Sequence, residues 1–252
     1  MQHTTRSEVI INCVGTGDAF NSGGRLHSCF HLAGDDTCLL LDCGSSSPAG
    51  FARCSINSEQ IDAVIVSHLH GDHFGGIPYL FLAGKYLQQR SRPLTLIGPA
   101  GLRPRLEVLS EALYPGLLAE GLGFPVTYAV LSPLSPLRLG GAEIACWPLT
   151  HGSSAEAFGV RVTLAGRILA YSGDTQWSEN LLPLSRNADL FICECCAYDQ
   201  PLPGHLDYLT ILQQRQRLDC RRLVLTHPGP ELLARREQLQ LELLEDGLRL
   251  RL

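Results

Sequence analysis

Apolar residues recur along the chain in two patterns, short runs bounded by glycine, proline or charged residues and longer stretches with helical spacing. The short runs are typical of buried or half-buried strands, and apolar residues every three or four positions are typical of helices. The predicted strands are 9–14, 28–32, 37–41, 63–66, 94–97, 143–149, 157–164, 167–171, 190–193 and 223–225. The predicted helices are 77–87, 102–113, 178–185, 206–218 and 232–243.

The order of these elements predicts the fold class. Strand pairs open the chain, strands and helices then alternate, and a second group of strands begins after the proline- and glycine-rich stretch at 115–141. Two mixed sheets packed face to face, with helices outside, cover every apolar face in this order. We therefore expect an α/β fold, a four-layer αββα sandwich. No long linker interrupts the pattern, so residues 1–252 are expected to form one domain.

The charge balance excludes some classes of protein. Lys and Arg number 20 against 25 Asp and Glu, so the formal charge is -5 and a strongly basic nucleic-acid-binding protein is excluded. No apolar stretch reaches the roughly 18 residues of a membrane-spanning helix, and the first residues lack the apolar region of a signal peptide. We expect a cytoplasmic protein with no membrane partner.

The ten cysteines lie mostly within apolar runs. In a chain of this length they predict buried, reduced thiols rather than a disulfide framework. Cys193 and Cys196 have the spacing of half a zinc knuckle, but no second pair matches them. A structural zinc finger is therefore not expected.

The segment 67–76 follows directly on the predicted strand 63–66 and carries a cluster of metal-binding side chains. Gly71 within it permits a sharp bend. Imidazole nitrogens and carboxylate oxygens are common ligands of transition metals, and such a loop can hold two cations about 3.5–4 Å apart. A polar surface loop is the alternative, disfavoured by the density of ligands. The candidate ligands are His68, His70, Asp72 and His73.

In this His-x-His-x-Asp-His motif the chain resembles the metallo-β-lactamase superfamily of hydrolases. The later ligands of that family each follow a strand, and the matching positions here are His151, Asp174 and His227. The resemblance implies two metal sites that share the bridging ligand Asp174. One metal is held by His68, His70 and His151, and the other by Asp72, His73 and His227. The resemblance also places Asp72 among the catalytic residues.

The implied reaction is hydrolysis, because two neighbouring metals lower the pKa of a shared water and clamp a developing oxyanion. Zinc suits a histidine-rich site without thiolates, although the same donors accept manganese or iron. The related di-iron flavoproteins carry Glu where His70 stands and need a flavin domain, for which this chain has no room. Taken alone, Asp174 would also suit a helix N-cap.

Within the superfamily the chain looks like the tRNase Z group of phosphodiesterases. The similarity lies in the loop 15–25, the turn 171–175, and Glu194 followed eleven residues later by His205. In that group a Glu-paired His protonates the leaving oxygen, a step that an alkoxide leaving group requires. The alternative is a loop histidine beside a solvated strand end. The implied catalytic residues are thus Asp72, His205 and Glu194.

The glycine-rich loop 15–25 has two interpretations. Backbone amides in such a loop can cradle a phosphate, and Asn21, Ser22 and Arg25 are the candidate phosphate contacts. The alternative is a flexible connection between two strands, because Gly-x-Gly without the remaining dinucleotide-binding spacing is a weak signal.

Two departures from the tRNase Z pattern predict the kind of substrate. Residues 152–173 are too few for the long arm that grips tRNA, and His227 is followed by Pro-Gly-Pro rather than Ser-x-Arg-Tyr. We therefore expect a small phosphodiester, such as a cyclic nucleotide, rather than pre-tRNA; another nucleic acid and a homodimer are left open. The alternative functions are a lactonase or other carboxyl-ester or thioester hydrolase, and a non-catalytic metal-stabilised interaction module.

Overall fold

The computed structural model describes residues 8–133, 135–152, 156–200 and 202–252. The strands in these ranges form two sheets of seven. In chain order they are β1 Ile10–Gly15, β2 Cys29–Gly34, β3 Thr37–Leu41, β4 Ala63–Ile65, β5 Leu94–Gly98, β6 Val126–Val130, β7 Leu137–Leu139, β8 Ala142–Leu149, β9 Ala157–Leu164, β10 Arg167–Tyr171, β11 Leu190–Glu194, β12 Leu223–Thr226, β13 Glu242–Leu243 and β14 Arg249–Arg251.

Both sheets are mixed. The first runs β14-β1-β2-β3-β4-β5-β6 and the second β13-β12-β11-β10-β9-β8-β7. In the first sheet β1, β2 and β3 pair antiparallel, whereas β3 to β6 are parallel. In the second, β7 to β10 pair antiparallel and β10 to β13 are parallel. The predicted pair of mixed sheets is confirmed.

Three apolar clusters connect the layers. The largest lies between the sheets and includes Phe30 and Leu39 from one sheet and Tyr171 and Ile192 from the other. A second joins the first sheet to its helices, and a third does the same for the second sheet. The α-helices are α1 Ser47–Cys54, α2 Gly71–Phe74, α3 Ile77–Leu82, α4 Leu102–Leu113, α5 Leu181–Ser185, α6 Tyr208–Gln214 and α7 Pro230–Ala234. Helix, sheet, sheet and helix are the four predicted layers.

Two further expectations can be compared with the described residues. All ten cysteines are free, and six of them are buried, in agreement with reduced thiols. A search of the described helices finds none with the length and apolar character that crossing a bilayer requires.

The predicted helix 232–243 is wrong over most of its length. The helix α7 ends at Ala234, a 3-10 turn covers Arg236–Gln238, and β13 follows. Leu243 pairs with Leu225 of β12, so hydrogen bonding to the neighbouring strand of the sheet overrides the helical spacing of the leucines. The helix predicted at 178–185 begins only at Leu181.

The proline- and glycine-rich stretch 115–141 contains two strands, β6 and β7, that were not predicted from its composition. β6 extends the parallel part of the first sheet beside β5, and β7 forms the edge of the second sheet beside β8. Both strands are only partly buried, because each lies at a sheet edge. Edge strands of this kind lack the strong apolar signal of central strands.

Candidate metal centre

Loops that follow four strands bring the seven predicted metal ligands together. His68, His70, Asp72 and His73 lie directly after β4 or in α2, whereas His151, Asp174 and His227 follow β8, β10 and β12. Their ligand atoms form two groups, each with all its atoms within 4.8 Å of one another. The groups are His68, His70 and His151, and Asp72, His73, Asp174 and His227.

Asp174 lies between the two groups. Its Oδ1 is 3.3 Å from His73 Nε2, and its Oδ2 is 3.4 Å from His227 Nε2. The same Oδ2 lies 3.8 Å from His68 Nε2 and 3.9 Å from His151 Nε2. Oδ1 therefore faces His73, whereas Oδ2 lies close to histidines of both groups. A bridging ligand requires this arrangement.

The buried donors fit two divalent metals. His68 Nε2, His73 Nε2 and Asp174 Oδ1 are buried, and within the described part of the chain they have no hydrogen-bond partner. Buried polar atoms normally have partners, so three such atoms facing one centre indicate a ligand. Neutral imidazoles with a few carboxylates suit zinc and similar cations. The arrangement fits a dinuclear site.

Asp42 lies on the far side of His73 from the other ligands and orients its ring. It follows β3 in the left-handed region, with φ 57°. Its Oδ2 accepts hydrogen bonds from His73 Nδ1 at 2.7 Å and from the Tyr171 hydroxyl at 2.7 Å. Its two oxygens also accept the Ser67 amide at 2.7 Å and the Ser67 hydroxyl at 2.8 Å. Asp42 was not predicted from the sequence, although a carboxylate at the end of the apolar run Leu39-Leu40-Leu41 is a signal.

Two of the other histidines, His68 and His151, are also fixed through their Nδ1 atoms. His151 Nδ1 donates to the Gly204 carbonyl at 2.8 Å, and His68 Nδ1 lies 3.1 Å from the Ser67 hydroxyl. Such contacts set the tautomer and leave Nε2 as the ligand atom. Gly204 has φ 84°, and a Cβ there would lie 3.1 Å from His151 Nδ1, so this close approach needs glycine.

Electrostatics in the metal-free chain reflect this concentration of charge. Burial lowers the pKa of His68 well below its usual value, and the neighbouring His73 adds to the effect. Burial also opposes a charge on His73, but Asp174, Asp72 and Asp42 outweigh it and hold the His73 pKa well above the usual value. Without metal, a proton on His73 therefore neutralises part of the carboxylate charge.

His205 and Glu194 meet beside the metal cluster. His205 Nδ1 lies 3.1 Å and 3.3 Å from the two oxygens of Glu194, and its ring stacks on His227 at 5.6 Å. Burial raises the pKa of Glu194 to about 7. Burial acts against protonation of His205, but the hydrogen bond and charge of Glu194 prevail and raise its pKa to about 9. At neutral pH His205 is therefore an imidazolium, next to a Glu194 whose own pKa is close to neutral.

The glycine-rich loop is stabilised by its own hydrogen bonds. Asp18 accepts the Ser22 amide at 2.8 Å and the Ser22 hydroxyl at 2.7 Å. Asn21 donates to the Arg25 carbonyl at 2.8 Å, and the Arg25 guanidinium donates to Thr16 Oγ1 at 2.7 Å and to the Leu244 carbonyl. The three side chains suggested as phosphate contacts are engaged in holding this loop, so the structure does not support that prediction.

The comparisons with known proteins agree with this geometry. A family model described as Anti-Pycsar protein Apyc1 matches residues 9–246. The chain belongs to this family. It is 28% identical over 246 residues to the Anti-Pycsar protein Apyc1 of Bacillus phage BSP38, a match that covers 91% of each chain. It is 26% identical over 264 residues to a ribonuclease Z of Methanosarcina acetivorans, covering 86% of each.

A solved structure extends the likeness to the fold. The metallo-β-lactamase fold protein YhfI of Bacillus subtilis superimposes with a TM-score of 0.79 at 23% identity, covering 97% of this chain and 99% of that one. The predicted metallo-β-lactamase fold and the tRNase Z-like resemblance are thus confirmed. With the two His and Asp groups, they make this Apyc1-family chain a metal-dependent hydrolase and set aside a non-catalytic module.

Asp42→Asn tests the contact behind His73. The change preserves size but removes the negative charge that faces His73 Nδ1, so zinc affinity should fall about 10–100-fold, measured by competition with a chromophoric chelator. Asp36 is exposed and has nearly the same backbone, with φ 56°. Asp36→Asn is therefore the matched control and should bind zinc like the wild type. Equal affinity in all three proteins would contradict a role for Asp42.

Proposed function

We propose that the chain is a dinuclear metal-dependent phosphodiesterase that acts on a small phosphodiester, of which a cyclic nucleotide is an example. The observation that carries this proposal is the His205–Glu194 pair, whose imidazole stacks on His227 beside the two metal groups. A proton donor at this point is what an alkoxide leaving from phosphorus needs. Hydrolysis of an activated lactone has less need of one.

In this proposal His68, His70 and His151 hold one cation, Asp72, His73 and His227 hold the other, and Asp174 bridges them. Zinc is the proposed metal, with manganese and iron as alternatives that the same donors accept. Two such cations, when bound, lower the pKa of a shared water and stabilise negative charge on a phosphate. Asp72 contributes to catalysis through the cation that it holds.

His205 supplies the proton in this scheme, and Glu194 positions it. Glu194 is fully buried and accepts the Thr175 amide at 2.5 Å, so its carboxylate is fixed next to the bridging Asp174. His205 keeps 21% of its side chain exposed, which leaves its ring accessible to a substrate. A fixed carboxylate that raises the imidazole pKa keeps the donor protonated before the reaction.

The size of the substrate follows from the short loops. Between His151 and Asp174 the described residues form β9, β10 and the turn between them, with no arm. After His227 the chain enters α7 at Pro230. These features favour a small ligand over pre-tRNA, although several relatives are named ribonuclease Z. We also propose that residues 1–252 act as one domain in the cytoplasm.

The metal content tests the centre. We expect about two zinc or manganese ions per chain by elemental analysis after reconstitution, because the two groups share Asp174. Asp174→Ala should lose metal and activity together, since no other described carboxylate reaches both groups. Asp36→Ala serves as a control for removing an exposed carboxylate. One ion per chain, or none, would contradict the dinuclear proposal.

The substrate class is tested with two substrates in parallel. A small activated diester, bis-p-nitrophenyl phosphate, should be hydrolysed, whereas a pre-tRNA should not be cut at its 3′ end at the same enzyme concentration. Product formation is followed by absorbance and by gel electrophoresis. Asp174→Ala in both assays controls for contaminating nucleases. Accurate pre-tRNA cleavage by the wild type alone would overturn the small-substrate proposal.

His205→Ala separates phosphodiester from carboxyl-ester hydrolysis. The variant should keep both metals and lower kcat by about 10²-fold or more on a diester with an alkoxide leaving group. The loss should be smaller with p-nitrophenolate, which leaves without full protonation. The ratio of the two losses is measured, because a folding or metal defect would lower both equally. Equal losses, or none, would favour a lactonase or another carboxyl-ester hydrolase.

A further inference from the structure

A cavity of about 370 Å³ adjoins the metal centre on the side of His205. Its lining includes Gln176 and Trp177, which follow Asp174 in the chain, and Leu202 and Pro203, which precede His205. His205 itself lines the cavity. Two segments that carry candidate functional residues therefore border it, it is open to solvent, and its volume is in the range of small-molecule sites.

Trp177 is held in place before any ligand binds. Its indole N–H donates to Glu179 Oε1 at 3.2 Å, and the guanidinium carbon of Arg217 lies 5.7 Å from the ring centroid. Arg217 in turn donates to both oxygens of Glu179, at 3.1 Å and 2.5 Å. The ring therefore loses little freedom when a ligand stacks on it, which favours binding.

We infer that Trp177 binds the nucleobase of a nucleotide phosphodiester, stacking on it while the phosphate lies at the metal centre. This inference rests on the proposed function and specifies its substrate. During hydrolysis a water oxygen bonds to phosphorus as the P–O bond to the sugar breaks, and the leaving oxygen takes the proton of His205. The sugar attached to that oxygen must therefore lie beside His205. The cavity lies next to His205, where the base attached to that sugar would be placed.

The chemistry of the walls fits a flat heterocycle. The indole of Trp177 and the apolar Leu202 and Pro203 offer surfaces on which a planar ring can pack, and the exposed Gln176 amide can donate to and accept from its edge. Stacking of a base on an aromatic side chain is tolerant of base identity. The cavity thus favours nucleotides over diesters without a base.

Phe20 provides a matched comparison. It is also aromatic and 85% exposed, but it lines a different cavity, together with Cys196 and Gly229. Among the described residues, the lining of that cavity includes Leu202 but not His205. Removal of Phe20 therefore controls for a general loss of exposed aromatic surface near the centre.

Tryptophan fluorescence tests the stacking without any turnover. The chain has two tryptophans, so Trp147→Phe leaves Trp177 as the sole reporter in the metal-loaded protein. Adenosine 5′-monophosphate should quench it saturably, ribose 5-phosphate should not, and the additional Phe20→Ala change should alter neither result. The complementary Trp177→Phe protein, which retains Trp147, should show no quenching. Quenching by ribose 5-phosphate to the same extent, or none by the nucleotide, would overturn the inference.

Kinetics test the same contact during hydrolysis. A 3′,5′-cyclic nucleotide is compared with its base-free analogue, and the ratio of their kcat/KM values is recorded. Trp177→Ala should lower this ratio about tenfold, Trp177→Phe should retain most of it, and Phe20→Ala should leave it unchanged. Equal losses on both substrates would overturn the inference and leave the phosphodiesterase proposal standing. Absence of any turnover by the wild type would refute that proposal, whereas the fluorescence titration would still decide the role of Trp177.

Discussion

The charge of Asp174 is the constraint around which this site is arranged. Its carboxylate is 3% exposed at the ends of strands from both sheets, where an unpaired charge is costly. The histidines around it supply compensation only in part, because burial and a proton on the neighbouring His73 both disfavour protonation of His68. Two divalent cations would replace that single proton with a larger charge, and they would partner the buried nitrogen and oxygen atoms that have no hydrogen bond among the described residues.

Hydrogen bonds on the far side of the candidate ligands hold these side chains in position for a cation. Asp42 connects His73, Ser67 and Tyr171, and thereby links β3, the loop after β4 and β10. A ligand whose far side is fixed needs no reorganisation when a cation binds, which increases affinity. The same principle applies to Glu194 behind His205, and in our proposal to Glu179 and Arg217 beside Trp177. In each case a buried or paired carboxylate determines the position of the aromatic ring that meets the ligand.

The candidate metal ligands and the residues proposed to select the substrate lie on different elements of the fold. The metal groups lie at strand ends that both sheets hold firmly, whereas the cavity beside His205 is formed by loops before α5 and α6. Loops tolerate substitution better than the strands that they connect. In our proposal this separation allows a chain that is similar to a ribonuclease Z to act on a smaller substrate, because the arm is absent and Trp177 lines the cavity beside His205.

The sequence by itself determined the fold class, the central strands and the metal cluster, because apolar runs and the spacing of His68 to His73 are local signals. It also paired Glu194 with His205 correctly in space, as their contact confirms. Only the tertiary structure identified Asp42 as the residue behind His73, and only it found that Asn21, Ser22 and Arg25 hold their own loop. It also replaced most of the helix predicted at 232–243 by a turn and β13. These features depend on partners far along the chain, and hydrogen bonds to a distant strand or side chain leave no periodic trace in the sequence.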